Sequence, residues 1–288
     1  MEIGEYQRRA QETDQVPART GDGLVVALMG LAGEVGTLAT DYKKRLRDGD
    51  SYRFYADDLL EELGDVLWYV ANIAHKSGLS LDDVAQANLA KLAARWQRPS
   101  MQAPNYDAGF PEEEQLPRQL IFDFREDPDT GRVAVTLPDG TQLGNELGDN
   151  ARVDDGFRYH DVLHLAHMAT MGWSPVLRGF LKRKRRSDPR MDDTEDGGRA
   201  KVTEEGIVAY VFSRAREEGF FDGRRRVDND VLQTITRLAG HFEVRDRTPA
   251  EWEHTILTGF EVWRQLRQNG GGLVKADLDA RSLTYLAR

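Results

Sequence analysis

The segment Leu60-Glu61-Glu62-Leu63-Gly64-Asp65-Val66-Leu67-Trp68-Tyr69 sets acidic residues within a helical apolar pattern. Apolar residues recur through this region at steps of three and four, at Leu59, Leu63, Val66, Val70 and Ile73. This spacing predicts an amphipathic helix. Residues three apart share a helix face, so we expect Glu62 and Asp65 to point in the same direction.

A second acidic segment, Gly33-Glu34-Val35-Gly36-Thr37, lies in another helical pattern. If the two apolar stripes pack together, Glu34 comes close to Glu62 and Asp65. Clustered carboxylates repel one another, so such a cluster needs a cation. Mg²⁺, with Mn²⁺ as the alternative ion, takes oxygen ligands and serves substrates that carry phosphates. The competing interpretation is a solvated helix face.

Three glycines, Gly33, Gly36 and Gly64, fall inside these predicted helices. A glycine in a helix interior costs ~1 kcal/mol relative to alanine. Their presence therefore indicates either close helix approach or room for a ligand.

The N-terminal third of the chain, about residues 1 to 98, resembles the MazG-like all-α nucleoside triphosphate pyrophosphohydrolases. The similar runs are Leu28 to Gly36, Lys43-Lys44, Leu60 to Tyr69, Asn88 to Lys91 and Arg95-Trp96. The family pattern is Glu-x-x-Glu, a spacer, then Glu-x-x-Asp. The resemblance implies a helical bundle, a nucleoside triphosphate substrate, and a homodimer or higher homo-oligomer.

The chain departs from that pattern at Thr37, where the family usually has its second glutamate. Asp41 is a candidate substitute, because residues four apart share a helix face. We expect Glu34, Glu62 and Asp65 to hold the metal, assisted by Asp41 or Glu61. Glu61 or one of the ligand carboxylates would accept a proton from the attacking water.

Cationic and amide side chains near this region are candidate contacts to the polyphosphate: Lys43, Lys44, Asn88, Lys91 and Arg95. Asn88 enters by resemblance alone. Lysine and arginine near helix C-termini also stabilise the helix dipole with no ligand present, and this alternative stays open.

The predicted fold is mainly α: a four-helix MazG-like bundle, then a small antiparallel β meander that leads into a second helical domain. Helices are expected near residues 2–14, 23–47 and 51–75, with a fourth from Ser80 that buries Leu81, Val84, Leu89 and Leu92. We assign residues 1–98 to the bundle and the proline-rich residues 99–118 to a linker. Residues 119–288 form the C-terminal α+β domain.

In the C-terminal domain, alternating apolar residues predict two or three strands within residues 119–145. Residues 154–288 are predicted helical, and this region resembles the companion domain of some MazG-like proteins. Gly270-Gly271-Gly272 is expected to loosen the tail.

His160, His164 and His167 share one helical stripe and could bind a transition metal. The doublet His160-Asp161 resembles that of metal phosphohydrolases. Core or capping histidines are the competing interpretation.

The cationic run Lys182-Arg183-Lys184-Arg185-Arg186 precedes the acidic run from Asp192 to Asp196. A cationic run that is followed by an acidic run favours internal salt bridges over a nucleic-acid signal. A phosphate-binding role for the cationic run is the alternative.

Overall composition limits the classes of protein. The 288 residues are enough for one large or two moderate domains, and the absence of cysteine excludes disulfides and thiolate metal sites. The net charge of −10 argues against general nucleic-acid binding. No apolar run is expected to reach the ~18 residues of a membrane span, so we expect a cytoplasmic protein without a membrane partner.

These observations predict a Mg²⁺-dependent hydrolase that converts a nucleoside triphosphate to the monophosphate and pyrophosphate, clearing surplus or non-standard nucleotides. Two alternatives remain. In one, Thr37 has disabled catalysis and the bundle is a nucleotide-binding regulatory module. In the other, the histidine helix carries a separate metal phosphohydrolase site.

Overall fold

The computed structural model describes residues 1–16, 21–52, 55–96 and 105–288. The chain divides into two compact units, Met1–Ala93 and Ala94–Arg288. Residues 99–104 of the predicted linker lie outside the described residues.

The first unit is helical, as the apolar periodicity predicts. Its helices are α1 (Ile3–Gln11), α2 (Gly21–Asp48), α3 (Tyr55–Lys76) and α4 (Leu81–Trp96), of which α4 continues into the second unit. Both α1 and α2 pack against α3. The mainly α fold and its N-terminal helices are therefore confirmed.

The buried apolar core of this unit is small. Among the described residues it consists of a cluster of Ala10, Ala71, Ala74 and Leu81, with Tyr6, Trp68 and Val70 packed against it, and of buried Ala27 outside the cluster. Polar contacts add to it, since Gln7 of α1 donates to the Leu79 carbonyl and accepts from the Leu81 amide, each over 2.9 Å. The expectation that α4 buries four apolar residues is wrong in this single chain, because three of them are exposed: Val84, Leu89 and Leu92.

Among the described residues, one helix, Asp22–Ser51, is long and apolar enough to cross a membrane by length and composition alone. The expectation that no apolar run reaches that length is therefore wrong. Core helices of soluble proteins pass the same test, and this helix carries Glu34 and Asp41 and packs against α3. Its length and composition are weak evidence for a membrane span.

Within its described residues, and beyond the end of α4, the second unit combines a sheet with six α-helices. The strands are β1 (Gln119–Glu126), β2 (Val133–Thr136), β3 (Gln142–Leu147), β4 (Gly271–Asp277) and β5 (Ser282–Leu286). The helices are α5 (Asp161–Ala166), α6 (Pro175–Phe180), α7 (Pro189–Thr194), α8 (Gly198–Glu217), α9 (Asn229–Ala239) and α10 (Pro249–Asn269).

The sheet has five antiparallel strands in the order β3-β2-β1-β4-β5. The predicted meander is its first part. The glycine-rich tail is not loosened, because β4 pairs with β1 along its whole length, with Phe122 opposite Val274. One face of the sheet buries Phe122 and Phe124 in a core shared with α5, α8 and α10.

Residues 105–118 of the predicted linker belong to this second unit and are packed into it. Leu116 is 1% exposed, and buried Asp107 accepts hydrogen bonds from the Leu116 amide and from Arg118 and Arg178. The proline-rich composition did not indicate these contacts.

The cationic run 182–186 forms the expected internal salt bridges. Fully buried Arg185 pairs with Asp196 over 2.7 Å and with Glu243 over 2.8 Å. Lys184 pairs with Asp192 over 2.6 Å. These contacts favour a structural role for the run.

Candidate functional site

The predicted carboxylates lie on the two helices that pack together in the first unit. Glu34 and Asp41 are on α2, whereas Glu61, Glu62 and Asp65 are on α3. Asp41 is 4% exposed, Glu34 and Glu62 are half-buried, and the other two are exposed. The burial of Asp41 in the middle of a helix indicates a specific environment.

Glu62 is at the centre of this carboxylate cluster. Burial raises the pKa of its carboxyl, and the charges of Glu34, Asp41, Asp65 and Glu61 raise it further. Its Oε2 atom is buried and has no hydrogen-bond partner among the described residues. A buried carboxylate oxygen without a donor, among like charges, fits the ligand set of a hard divalent cation.

Asp41 also has a cationic neighbour. Lys44 Nζ donates to Asp41 Oδ1 over 2.7 Å, and this contact raises the pKa of Lys44. Tyr52 donates its hydroxyl proton to Asp58, and this hydrogen bond raises the pKa of Tyr52. Through its contact with Asp41, Lys44 lies at the edge of the carboxylate cluster.

Thr37 differs from Asp41 in its surroundings. Its side chain is exposed, and its hydroxyl donates to the Gly33 carbonyl of the same helix over 3.4 Å. Asp41 is buried and its charge acts on Glu62. These positions favour Asp41 as the carboxylate that replaces the glutamate missing at Thr37.

The predicted polyphosphate contacts are in different settings. Lys43, Asn88 and Lys91 are exposed. Arg95 belongs to the second unit, where its guanidinium pairs with Glu253 over 3.0 Å. A phosphate would have to compete with Glu253 for Arg95, and the substrate contacts stay a prediction.

Close packing of α2 on α3 occurs at a different glycine from those singled out above. A Cβ atom on Gly30 would overlap the ring of Tyr69, whereas one on Gly33, Gly36 or Gly64 would meet nothing within 4 Å. No described residue therefore fills the space beside the three predicted glycines, which leaves room for a ligand or another surface.

The second unit contains a buried cluster of histidines and acidic residues, which we call the histidine cluster: His160, Asp161, His164, His167, Glu204 and Glu205. Glu204 is fully buried on α8. Its Oε1 accepts from His164 Nδ1 over 2.8 Å and from His167 Nδ1 over 3.1 Å. Its Oε2 accepts from the Ser174 hydroxyl and the Val176 amide.

Electrostatic coupling within the histidine cluster is strong. Burial alone would raise the pKa of Glu204, but the charge and hydrogen bond of His164 outweigh it and lower the pKa to about 2. Burial alone would lower the pKa of His164, but Glu204 and Glu205 raise it to about 10. Burial lowers the pKa values of His160 and His167 and raises that of Asp161.

The loop before His160 is held by a buried hydrogen-bond network. Asp149 accepts from the amides of Asp155, Gly156 and Arg158, and Trp263 Nε1 donates to the Gly156 carbonyl over 3.0 Å. Gly156 has φ +82°, a conformation that favours glycine. The backbone that presents His160 is thus fixed.

Sequence reasoning identified the three histidines but missed Glu204 and Glu205. A pair of glutamates in a helix is typical of a solvated face, and nothing in the local pattern shows that the first is buried. Their partners lie about 40 residues earlier in the chain. Only the packing of α5 on α8 brings them together.

Carboxylate clusters on packed helices are typical of metal-dependent enzymes that act on phosphate-containing substrates. Residues 27–98 match the family model of the MazG nucleotide pyrophosphohydrolase domain, and residues 101–288 match that of the MazG C-terminal domain. The chain therefore belongs to the MazG family, as a pyrophosphohydrolase domain followed by a MazG C-terminal domain. The first domain implies hydrolase activity on nucleotides, and the family is typically metal-dependent.

Among curated proteins, the chain is similar to the Gene 37 protein of Mycobacterium phage L5. The two are 43% identical over 105 residues, which cover 34% of this chain and 91% of that protein. No solved structure matches the chain significantly.

Proposed function

We propose that this protein is a Mg²⁺-dependent pyrophosphohydrolase that cleaves a nucleoside triphosphate between the α and β phosphorus atoms. The products are a nucleoside monophosphate and pyrophosphate. The observation that carries the proposal is the buried Oε2 atom of Glu62, which has no hydrogen-bond partner among the described residues and feels the charges of four other carboxylates.

Glu34, Asp41, Glu62 and Asp65 would hold the cation, Mg²⁺ or alternatively Mn²⁺, through oxygen atoms. When bound, the cation supplies positive charge that offsets the negative charge of the polyphosphate. The all-oxygen donor set fits a hard divalent cation.

The remaining roles fall to side chains beside this cluster. Glu61 is exposed next to Glu62 and would accept a proton from the water that attacks phosphorus. Water oxygen forms the new bond to phosphorus as the bond to the pyrophosphate oxygen breaks. Lys44, already oriented by Asp41, would contact the phosphates, and the preceding residue, exposed Lys43, would add a second positive charge.

The first test measures pyrophosphate and orthophosphate separately from a panel of canonical and modified nucleoside triphosphates. With Mg²⁺ we expect equal amounts of monophosphate and pyrophosphate, and none with a chelator. A triphosphate with a methylene group between the α and β phosphorus should not be cleaved. Orthophosphate release would contradict the proposal, and nucleotide binding without any release would favour the regulatory role instead.

We also propose that the first unit assembles with a second copy of the chain. Among the described residues, a cluster of four buried apolar side chains is small for an independent helical unit, while large apolar side chains on all three long helices remain exposed. They include Val25, Val26, Met29 and Leu46 on α2, Leu60, Leu63 and Leu67 on α3, and Leu89 on α4. A second copy would bury this surface, including the apolar face of α2. Such an assembly would account for the apolar character of α2 without a membrane.

Met29→Lys is expected to dissociate this assembly. Met29 is 69% exposed in the single chain, so lysine there should disturb the interface more than the unit itself. Light scattering after size exclusion should give at least twice the chain mass of 32.6 kDa for wild type and a lower mass for the variant. Val202→Lys, at a 72% exposed residue of the second unit, is the control. A wild-type mass of one chain would refute the assembly.

A further inference from the structure

Two buried imidazoles of the histidine cluster are oriented by hydrogen bonds at their δ nitrogens. His160 Nδ1 donates to the Phe157 carbonyl over 2.8 Å, and His164 Nδ1 donates to Glu204 over 2.8 Å. The ring of His160 also stacks on Phe157, with ring centroids 4.2 Å apart. Metal-binding histidines typically donate their other ring proton to a carbonyl or carboxylate in this way.

The ε nitrogens of the same rings face carboxylates. His160 Nε2 lies 3.6 Å from Asp161 Oδ1, and His164 Nε2 lies 3.4 Å from Glu205 Oε2. The ligand atoms of His160, Asp161 and His164 all lie within 4.8 Å of one another. His164 is fully buried, and its Nε2 atom makes no well-formed hydrogen bond among the described residues, with the Glu205 carboxylate beside it.

We propose that His160, Asp161, His164 and Glu205 bind one divalent transition-metal ion through two imidazole nitrogens and two carboxylate oxygens. This site is separate from the carboxylate cluster of the first unit. Ligand atoms about 2.0–2.2 Å from one Zn²⁺ lie at most about 4.4 Å apart. The 3.4 and 3.6 Å separations are within this limit, and the ligand atoms of His160, Asp161 and His164, which lie within 4.8 Å of one another, would move slightly inward. Glu205 would join them from its position beside His164.

The donor set selects the class of ion. Imidazole nitrogen suits Zn²⁺, Fe²⁺ and related ions, whereas Mg²⁺ and Ca²⁺ prefer oxygen throughout. The carboxylates of Asp161 and Glu205 would balance the charge of a divalent cation. The first unit has an all-oxygen cluster, so the two sites should differ in the metal that they prefer.

Glu204 and His167 have a supporting role in this arrangement. Both oxygens of Glu204 already accept hydrogen bonds, from His164, His167, Ser174 and the Val176 amide. Glu204 is therefore a positioning residue that orients His164.

An ion can reach the site from solvent. The side chain of Glu205 is 49% exposed and that of Asp161 is 15% exposed, whereas that of His164 is fully buried. Asp161 and His164 are on α5 and Glu205 is on α8. A bound ion would link these two helices, so it should stabilise the folded second unit.

The test is a calorimetric titration of the chelator-treated full chain with Zn²⁺ in excess Mg²⁺, which occupies the oxygen cluster. We expect one Zn²⁺ per chain, a rise in the thermal unfolding midpoint, and, with Co²⁺, visible absorption bands of a nitrogen-ligated ion. Glu62→Gln should retain all three signals, because it alters only the first unit.

The variants Asp161→Asn/Glu205→Gln and His160→Ala should lose saturable Zn²⁺ binding or weaken it by at least about 10-fold. His241→Ala removes an exposed histidine of the same unit and should bind as wild type. Circular dichroism checks the fold of each variant. The single variant Glu205→Gln changes a half-exposed side chain and is therefore expected to disturb the fold least. No Zn²⁺ binding by wild type, or equal binding by folded site variants, would overturn the proposal and leave the cluster as an ion-pair network.

Discussion

Replacing Glu62 with glutamine is expected to slow pyrophosphate release by about 100-fold or more, since losing one preorganised electrostatic group at a reacting centre costs about 10²–10³ in kcat. The amide keeps the size of the side chain but removes the charge of the buried, unpartnered Oε2. Initial rates at saturating nucleotide and Mg²⁺ measure the effect. Glu12→Gln, at an exposed residue after α1, should retain the wild-type rate.

Loss of folding would not explain this result. The pKa of Glu62 is raised in the folded protein by burial and by its acidic neighbours. Because the folded pKa is raised, the folded state loses stability as pH rises from the unfolded pKa through the folded pKa, where the folded carboxyl also ionises. At neutral pH without Mg²⁺, the variant should therefore unfold at the wild-type temperature or above.

Mg²⁺ provides the second readout of the same variant. It should raise the unfolding temperature of the wild type, because a ligand that binds only the folded state stabilises it. The rise should be smaller in Glu62→Gln. A variant that keeps both the wild-type rate and the wild-type response to Mg²⁺ would move the active site away from the carboxylate cluster.

The helices of the first unit could be predicted because their signal is local. Apolar residues at steps of three and four gave helix bounds close to those observed for α2 and α3. The same periodicity indicates which residues share a helix face, but not whether another surface packs against that face. It therefore predicted burial for Leu89, which is 66% exposed in the single chain.

The strand β4 could not be predicted, because its partner β1 lies far away in sequence. β4 pairs with β1, about 150 residues earlier. A Cβ atom on Gly271 would overlap the Phe124 carbonyl oxygen, so glycine permits this close pairing. In the sequence alone, three consecutive glycines are typical of a flexible tail.

The candidate site shows the same division between local and long-range signals. Glu62 and Asp65 could be placed on one face from spacing, and Asp41 was a candidate because it lies four residues from Thr37. Its burial depends on packing against α3. Glu204 was not recognised, because its partners come from α5 and from the start of α6.

Asp41→Asn is expected to lower activity by about 10- to 100-fold, the range for disturbing the support or ligation of a metal. Asp41 is buried, and its charge acts on Glu62, whereas Thr37 is exposed. Adding Thr37→Glu to this variant restores the Glu-x-x-Glu spacing from Glu34 and should recover part of the rate. Asp57→Asn, at an exposed residue in the first turn of α3, is the matched control.

The dependence of the rate on Mg²⁺ concentration separates a ligand from a residue that only supports the fold. If Asp41 binds the cation, Asp41→Asn should require more Mg²⁺ for half-maximal activity, and Thr37→Glu should reverse that change. Loss of the Lys44 contact alone would lower the unfolding temperature without changing the Mg²⁺ requirement. An Asp41→Asn variant with the wild-type Mg²⁺ requirement would exclude Asp41 as a ligand and leave the cluster with Glu34, Glu62 and Asp65.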